Sequence, residues 1–464
     1  MTPPKTSAVA MEAAWANGEI AVVGLARSGR AAAQLLARAG SEVYASDAGE
    51  SDELTRTSDL LRAEGVDVQL GAHDLDRIAR CGLVVASPGV PPTAPPFKAA
   101  RAAGIPIVSE IEIGLRFLPG LKYIAITGTN GKTTTTALTG HLLKALGRRA
   151  ATAGNIGTPL TELALSATPP DWIALEVSSF QLHDTPSIRP LVGMLTNLSA
   201  NHLDRYDSVD EYYGDKALMF RNASVASHWV SNLDDPDVQK MIEPVAGAHA
   251  RFSVQRKAEA YYDRDSGNLV VLGRPLIHRD DFPLLGDHNV ANALAASLAV
   301  IVADRQHRAD RCLHQIAMAL KSFNALEHRI ETVGEFHGVS WINDSKSTNV
   351  ASTLVAMRGM TKPTVLLLGG KHKGEPYTEL GPELKRTGRA VIAYGEAAPL
   401  IEKDLAGVVP LRRLGSSFDE VIATARELSQ PGDVVLLSPA CSSYDMFDNY
   451  EQRGAVFKEM VSRG

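Results

Sequence analysis

The stretch Gly128-Thr129-Asn130-Gly131-Lys132-Thr133-Thr134 stands directly between a short apolar β-type run, Tyr123 to Ile126, and a helical pattern. That placement constrains the fold more than any other feature of the chain. A glycine-bearing loop leading from a strand straight into a helix belongs to an α/β unit with a parallel sheet. Its glycines let backbone N–H groups converge, and the helix start adds partial positive charge, so the loop suits phosphate. Lys132 is placed to bridge the β- and γ-phosphates of a nucleotide, and the Thr133 hydroxyl to hold Mg²⁺. The match to G-x-x-x-x-G-K-[ST] is imperfect, because Ile126 occupies the first glycine's position. An ordinary strand–turn–helix junction is the plain alternative, and the flanking elements favour the nucleotide.

The same alternation of β-rich runs and helical patterns continues along all 464 residues and predicts parallel sheets with crossover helices. Strands are expected at Ile20 to Val23, Glu42 to Ala45 and Val84 to Ala86, then a stiff proline-rich loop from Pro88 to Pro96. Pro119-Gly120 is a breaker. Strands Trp172 to Val177 and Gly193 to Thr196 follow, with a buried helix near Asn289 to Ala303. A third set runs through Val339 to Ile342, Thr364 to Leu368, Ala390 to Tyr394 and Val434 to Leu437. The expected architecture is three α/β domains: a Rossmann-like N-terminal domain over 1–118, a central P-loop-type ATPase domain over 119–325, and a Rossmann-like C-terminal domain over 326–464.

Composition excludes several function classes. A net charge of -6 leaves no basic surface for nucleic acid. Cys81, Cys312 and Cys441 lie far apart, so neither a disulfide framework nor a zinc site is expected, which fits a reducing cytoplasm. The N-terminus shows no secretion signal, and the longest apolar stretch, Ala293 to Ala303, is too short to span a bilayer.

Three further clusters carry chemistry. Glu176 ends an apolar strand, where side chains in open sheets face the ligand crevice. A magnesium ion takes one or two protein carboxylates, so Glu176 and Thr133 form a candidate pair around it. A capping carboxylate on the surface is the bland alternative. Asp344, Lys346 and Thr348 follow the strand Val339 to Ile342, and a lysine there would stabilise developing negative charge. A helix N-cap at Asp344 or Ser347 is compatible with that role. Gly24-x-Ala26-x-x-Gly29 is a variant dinucleotide fingerprint, with Asp47 at the end of the next strand. Taken alone it suggests NAD or FAD, but alanine at the close-approach position weakens that.

The string Thr127 to Thr133 resembles the loop of the Mur ligases and folylpolyglutamate synthetases, and further segments follow in that family's order. They are Gly154-Asn155-Ile156-Gly157, Glu176 to Leu182, Asn197 through His202-Leu203-Asp204, Lys216, His288-Asn289-x-x-Asn292, His328-Arg329 and Asn343 to Asn349. Within the family the chain is most similar to the D-glutamate-adding members, through Gly24 to Gly29 and Ser438-Pro439-Ala440-Cys441-Ser442-Ser443, running on to Glu451-Gln452-Arg453-Gly454. The resemblance implies an ATP-dependent ligase that activates a carboxylate as an acyl phosphate and couples it to an amino acid. The implied substrates are ATP, UDP-N-acetylmuramoyl-L-alanine and D-glutamate, with two Mg²⁺ ions.

By this resemblance Lys132, Glu176, His202, Lys216 and Lys346 are catalytic. Thr133, Glu176, His202 and Lys216, the last as a carbamate, hold metal. Residues Gly128 to Thr134, Asn289, Asn292, Arg329 and Asp344 bind ATP. Ser28, Asp47, Ser87 and Asn155 are candidates for the UDP substrate. Lys346, Thr348, Lys373, Ser443 and Tyr450 are candidates for the amino acid, with Lys371 as a neighbour of Lys373. Two positions depart from the family pattern: Asn201 replaces an aspartate before His202, and Tyr450 replaces a phenylalanine. A cytoplasmic monomer with no membrane span and no nucleic-acid partner is expected. L-glutamate, another amino-acid ligase of the family, an NAD-dependent oxidoreductase and a non-catalytic nucleotide-binding regulator are the alternatives that assays must separate.

Overall fold

A computed structural model describes residues 18–201, 206–324 and 327–463. Its strands form three sheets. The first contains β1 (Ile20–Val23), β2 (Val43–Asp47), β3 (Asp67–Leu70), β4 (Leu83–Ala86) and β5 (Ile107–Ser109), in the order β3-β2-β1-β4-β5 and all parallel. The chain reverses direction across the sheet between β1 and β4. A ligand crevice opens beyond the strands' carboxyl ends at such a point.

The second sheet runs through β6 (Lys122–Thr127), β7 (Ala150–Gly154), β8 (Trp172–Glu176), β9 (Val192–Leu195), β10 (His228–Asn232), β11 (Ala248–Ser253), β12 (Ala260–Asp263), β13 (Asn268–Val271) and β14 (Arg274–His278). Its order is β14-β13-β12-β11-β10-β9-β6-β8-β7. Strand β6 lies centrally, flanked by β8 and β9. Ile124 and Ile126 enter one core and Tyr123 and Ala125 the other, which is why β6 is a continuous apolar run. The fully parallel expectation needs one correction: β13 pairs antiparallel with both β12 and β14. These strands are joined by short turns at Gly267 and Gly273, both with positive φ, and tight turns connect antiparallel neighbours without a crossover.

The third sheet contains β15 (Glu331–Phe336), β16 (Val339–Asn343), β17 (Thr364–Gly369), β18 (Gly388–Tyr394), β19 (Leu411–Arg413) and β20 (Val434–Leu437), ordered β15-β16-β20-β17-β18-β19. Only β15 is antiparallel to its neighbour. Alternate residues of β17 again feed two cores, Leu366 and Leu368 on one side and Val365 and Leu367 on the other.

The proline-rich loop is shorter than its composition suggests. Pro95 and Pro96 open a helix, Pro95–Ala102, in the first-turn positions where proline's missing N–H costs nothing. Helix Glu110–Phe117 joins the first two domains: Ile113 packs in the N-terminal core and Ile111 in the middle one. The three cysteines are free and buried. No helix among the described residues is long and apolar enough to cross a membrane.

Candidate active site

The phosphate loop sits at the carboxyl end of β6. Gly131 has φ +79° and begins helix Lys132–Ala145, while Gly128 has φ +143°. A Cβ on Gly128 would fall 2.0 Å from Thr196 Oγ1, so only glycine allows this approach. The loop is braced from β9's end: Asn130 N–H donates to Asn197 Oδ1 (2.8 Å), and the Thr196 hydroxyl and Asn197 amide donate to the Asn130 carbonyl (2.7 and 2.9 Å). Thr129 Oγ1 bonds Ser199 on the same side. Lys132 folds over the loop and donates to the carbonyls of Gly128 and Thr129 (2.9 and 2.7 Å). Burial lowers its pKa; Glu176 raises it and Arg329 lowers it further.

Glu176 ends β8 beside this loop and is 1% exposed. Its Oε1 accepts from Asn155 Nδ2 (2.8 Å), whereas buried Oε2 has no hydrogen-bond partner among the described residues. An unpaired buried carboxylate oxygen is costly, roughly 1–3 kcal/mol or more, and a divalent cation supplies the missing partner. The donor set therefore fits magnesium, with Thr133 at the helix start. Among the described residues no group of three or more His, Cys, Asp or Glu could hold a metal ion. His202 lies outside the described residues; Asn201 before it is buried.

Lys216 is also buried, in helix Val209–Ala217, with Nζ 4.6 Å from the Tyr212 ring centroid and donating to the Gly128 carbonyl (2.7 Å). Desolvation and the neighbouring Lys132 push its pKa well down, against the attraction of Glu176 and Asp215.

Between the middle and C-terminal domains lies a cleft of about 880 Å³, lined among others by Asn130, Gly131, Thr134, Asn289, Asn292 and Arg329. Asn292 accepts from Thr135 Oγ1 and donates to Asn289, which fixes both amides on their helix. Arg329 crosses between domains and donates to Thr133 Oγ1 (3.2 Å). Buried Asp344 accepts from the Ser347 and Ser438 hydroxyls (2.6 and 2.8 Å) and from Ile330 N–H. Burial raises its pKa to about 6.

Two pairs form among the candidates for the amino acid, all in the C-terminal domain. Lys346 Nζ lies 5.1 Å from the Tyr450 ring centroid, and burial, then Arg329, lower its pKa to about 8. Lys373 donates to Thr348 Oγ1 (3.2 Å). Ser443 is buried, and its carbonyl accepts from Phe447 N–H. Lys371 is exposed, and its backbone pairs with Ser442. Of the UDP candidates, Ser28, Asp47 and Ser87 lie apart, in the first domain. Ser87 Oγ donates to the Gly24 carbonyl (2.8 Å), and the Asp47 carboxylate accepts from Leu25 and Gly49 N–H. Ser28 is the second residue of helix Arg27–Arg38, which starts at this turn. Asn155 connects the middle domain's substrate loop to Glu176.

Two residues of the site escape sequence reasoning. Tyr212, whose hydroxyl meets Thr129 Oγ1 (3.3 Å), supplies the aromatic wall beside Lys216. Arg453 is fully buried and clamps the ends of β16 and β20, donating to Ser345 O (2.7 Å) and Cys441 O (3.2 Å). A signal for it existed: Arg453 shares a helical face with Phe457 and Val461, so it is an arginine on an apolar stripe.

Comparison with known proteins bears on all three domains. Residues 18–109 match the model of the Mur ligase MurD-like N-terminal domain, 126–300 the Mur ligase middle domain, and 328–441 the Mur ligase glutamate ligase domain. The chain is 38% identical over 457 residues to UDP-N-acetylmuramoylalanine--D-glutamate ligase of Salinibacter ruber, covering 95% of this chain and 96% of that one. It is 40% identical to the enzyme of the same name from Anaeromyxobacter dehalogenans, covering 96% and 97%. Among solved structures, UDP-N-acetylmuramate-alanine ligase MurC of Thermotoga maritima superposes with a TM-score of 0.61 at 19% identity, covering 96% of this chain and all of that one. MurF of the same organism, in complex with ADP, gives 0.61 at 16% identity, covering 91% and 96%.

Proposed function

The chain belongs to the Mur ligase family, and from that premise we propose that it uses ATP to join D-glutamate to UDP-N-acetylmuramoyl-L-alanine, a cytoplasmic step of peptidoglycan synthesis. The domains divide the work: 1–118 takes the UDP end, 119–325 the ATP, and 326–464 the amino acid. The observation that supports this reading is the Arg329 bond to Thr133, which joins the start of the third domain to the phosphate loop of the second.

The substrate's L-alanyl carboxylate attacks the γ-phosphorus of ATP, giving an acyl phosphate and ADP. The neutral amine of D-glutamate then attacks the acyl carbon, phosphate leaves, and the amide forms with loss of a proton. Both steps concentrate negative charge, so cations must be fixed beforehand. Lys132 leaves its loop carbonyls for the β- and γ-phosphates. The loop N–H groups, backed by Asn197, hold the same phosphates. Asn289 and Asn292 line the adenine side, with Arg329 and Asp344 reaching the nucleotide from the third domain. Glu176 and Thr133 would hold one Mg²⁺, and His202 with Lys216 as a carbamate a second; when bound, such ions would screen phosphate charge. Lys346 stabilises the acyl phosphate and the departing phosphate. Thr348, Lys373, Ser443 and Tyr450 surround the incoming amino acid. Ser28, Asp47, Ser87 and Asn155 locate the UDP-sugar portion.

The test supplies ATP, Mg²⁺ and UDP-N-acetylmuramoyl-L-alanine to the monomeric chain, with amino acids added singly, and follows phosphate release. D-Glutamate should support turnover and L-glutamate should not. Lys132→Ala should abolish it while the melting curve stays in place. Turnover that ignores the amino acid, or a change in NADH absorbance, would defeat the reading.

A further inference from the structure

We propose that Ser352 is a positioning residue that ties the phosphate loop to the amino-acid pocket, so that nucleotide on the loop sets the pose of Thr348 and Lys373. The proposal rests on the ligase reading for the identity of the two pockets.

Asn130 has its main-chain N–H and C=O both engaged by Thr196 and Asn197 within the middle domain. The loop residue is thus fixed, and its side chain can reach outward. Across the cleft, Ser352 Oγ donates to Asn130 Oδ1 at 2.9 Å. Ser352 is equally fixed on its own side. Its N–H donates to Asn349 Oδ1 (2.8 Å), the N-cap of helix Val350–Arg358. The first N–H of that helix, from Val350, donates to Glu375 Oε2 (2.8 Å). Glu375 belongs to the same short loop as Lys373, which itself donates to Thr348 Oγ1. One helix turn therefore joins three parts: the phosphate loop through Ser352, the cap through Asn349, and the lysine loop through Val350.

Two rigid ends joined by one hydrogen bond transmit displacement from either side. The bond costs little in side-chain ordering, since serine and asparagine are short. A nucleotide that holds the phosphate loop holds Asn130, and through Ser352 it holds the helix turn on which the lysine loop rests. Arg329 on Thr133 is a parallel link, but it leads to the nucleotide site and not to the loop of Lys373.

The test uses the full chain and two readouts. Ser352→Ala should raise the KM for D-glutamate about tenfold while the KM for the UDP substrate stays within about twofold, and Ser352→Thr, which keeps the hydroxyl, should restore it. Amide hydrogen exchange over residues 371–375 provides a measure that does not depend on the amino acid used. ADP with Mg²⁺ should slow exchange there in the parent and in Ser352→Thr, but not in Ser352→Ala. Equal slowing in all three proteins, no slowing in the parent, or a uniform rise of every KM overturns the proposal. If the parent releases no phosphate with D-glutamate, the ligase reading falls, and the exchange result still decides the coupling.

Discussion

Lys132 and Lys216 converge on a single acceptor: both ammonium groups donate to the Gly128 carbonyl oxygen, at 2.9 and 2.7 Å. Two cations sharing one oxygen repel each other, and Lys216 lies behind the loop where desolvation adds to that repulsion. Lys216 is therefore the one driven toward its neutral form. A neutral amine is what adds to CO₂, giving a carbamate and releasing a proton. On Lys216 such a product would reverse the charge, replacing a repelled cation by an anion that would attract Lys132 and a metal ion.

Activity should accordingly depend on bicarbonate. In CO₂-depleted buffer, phosphate release should fall and return when bicarbonate is added. Lys216→Arg keeps a cation but cannot form the carbamate, so it should lose at least about tenfold in turnover, and Lys216→Ala should lose as much. An arginine variant with full activity would show that charge, not the carbamate, is what the site needs.

Lys346 makes a second pH-dependent group. Burial, followed by Arg329, lowers its pKa to about 8. A lysine with a lowered pKa is charged below that value and neutral above it. If its positive charge stabilises the acyl phosphate, kcat/KM for the UDP substrate at saturating D-glutamate should fall as pH rises through about 8. Lys346→Arg stays charged throughout, so its profile should lack that alkaline limb. Parallel profiles would remove Lys346 from the charged step.

The sequence is most legible where local pattern and global placement agree. Strands β6 and β17 are buried on both faces, so their apolar runs read as strands without further help. Strand β11 is not legible: Ala248-His249-Ala250-Arg251 is largely exposed, and pairing with β10 and β12 makes it a strand. Strand β14 carries Pro275, which demotes it in any propensity reading. Glu176 could be found because a carboxylate ending an apolar strand already implies a crevice. Lys216 is named only by the family resemblance, because nothing in its helix reveals that Tyr212 and the Gly128 carbonyl bury it. Ser352 is hidden for another reason, since a serine in a first helical turn reads as ordinary helix-start chemistry.

The glycine turn of the first domain can be tested separately from the nucleotide. A Cβ on Gly29 would fall 1.8 Å from the Gly24 carbonyl and 2.6 Å from Ser87 Oγ, on the bond those two groups make. Gly29→Ala must push the helix off the strand or break that bond. The KM for the UDP substrate should rise at least about tenfold, while the KM for ATP stays within about twofold, because the nucleotide cleft belongs to other domains. Equal loss for both substrates would mean that the variant unfolds, which a melting curve would reveal.

Glu176 offers the sharpest test of the metal assignment, because one of its oxygens is engaged and the other is not. Oε1 accepts from Asn155, and Oε2 is buried without a partner among the described residues. Glu176→Gln keeps the size of the side chain and keeps a carbonyl oxygen for Asn155, but it replaces Oε2 by an NH₂ group that repels a cation. Folding should survive, and the melting temperature should hold or fall, since buried Lys132 and Lys216 lose the carboxylate that attracts them. Manganese binding in the presence of ADP, followed by electron paramagnetic resonance as a stand-in for magnesium, should weaken by at least about tenfold. Unchanged manganese affinity together with lost turnover would assign Glu176 a role on the substrate and leave the metal to the phosphates and the Thr133 hydroxyl.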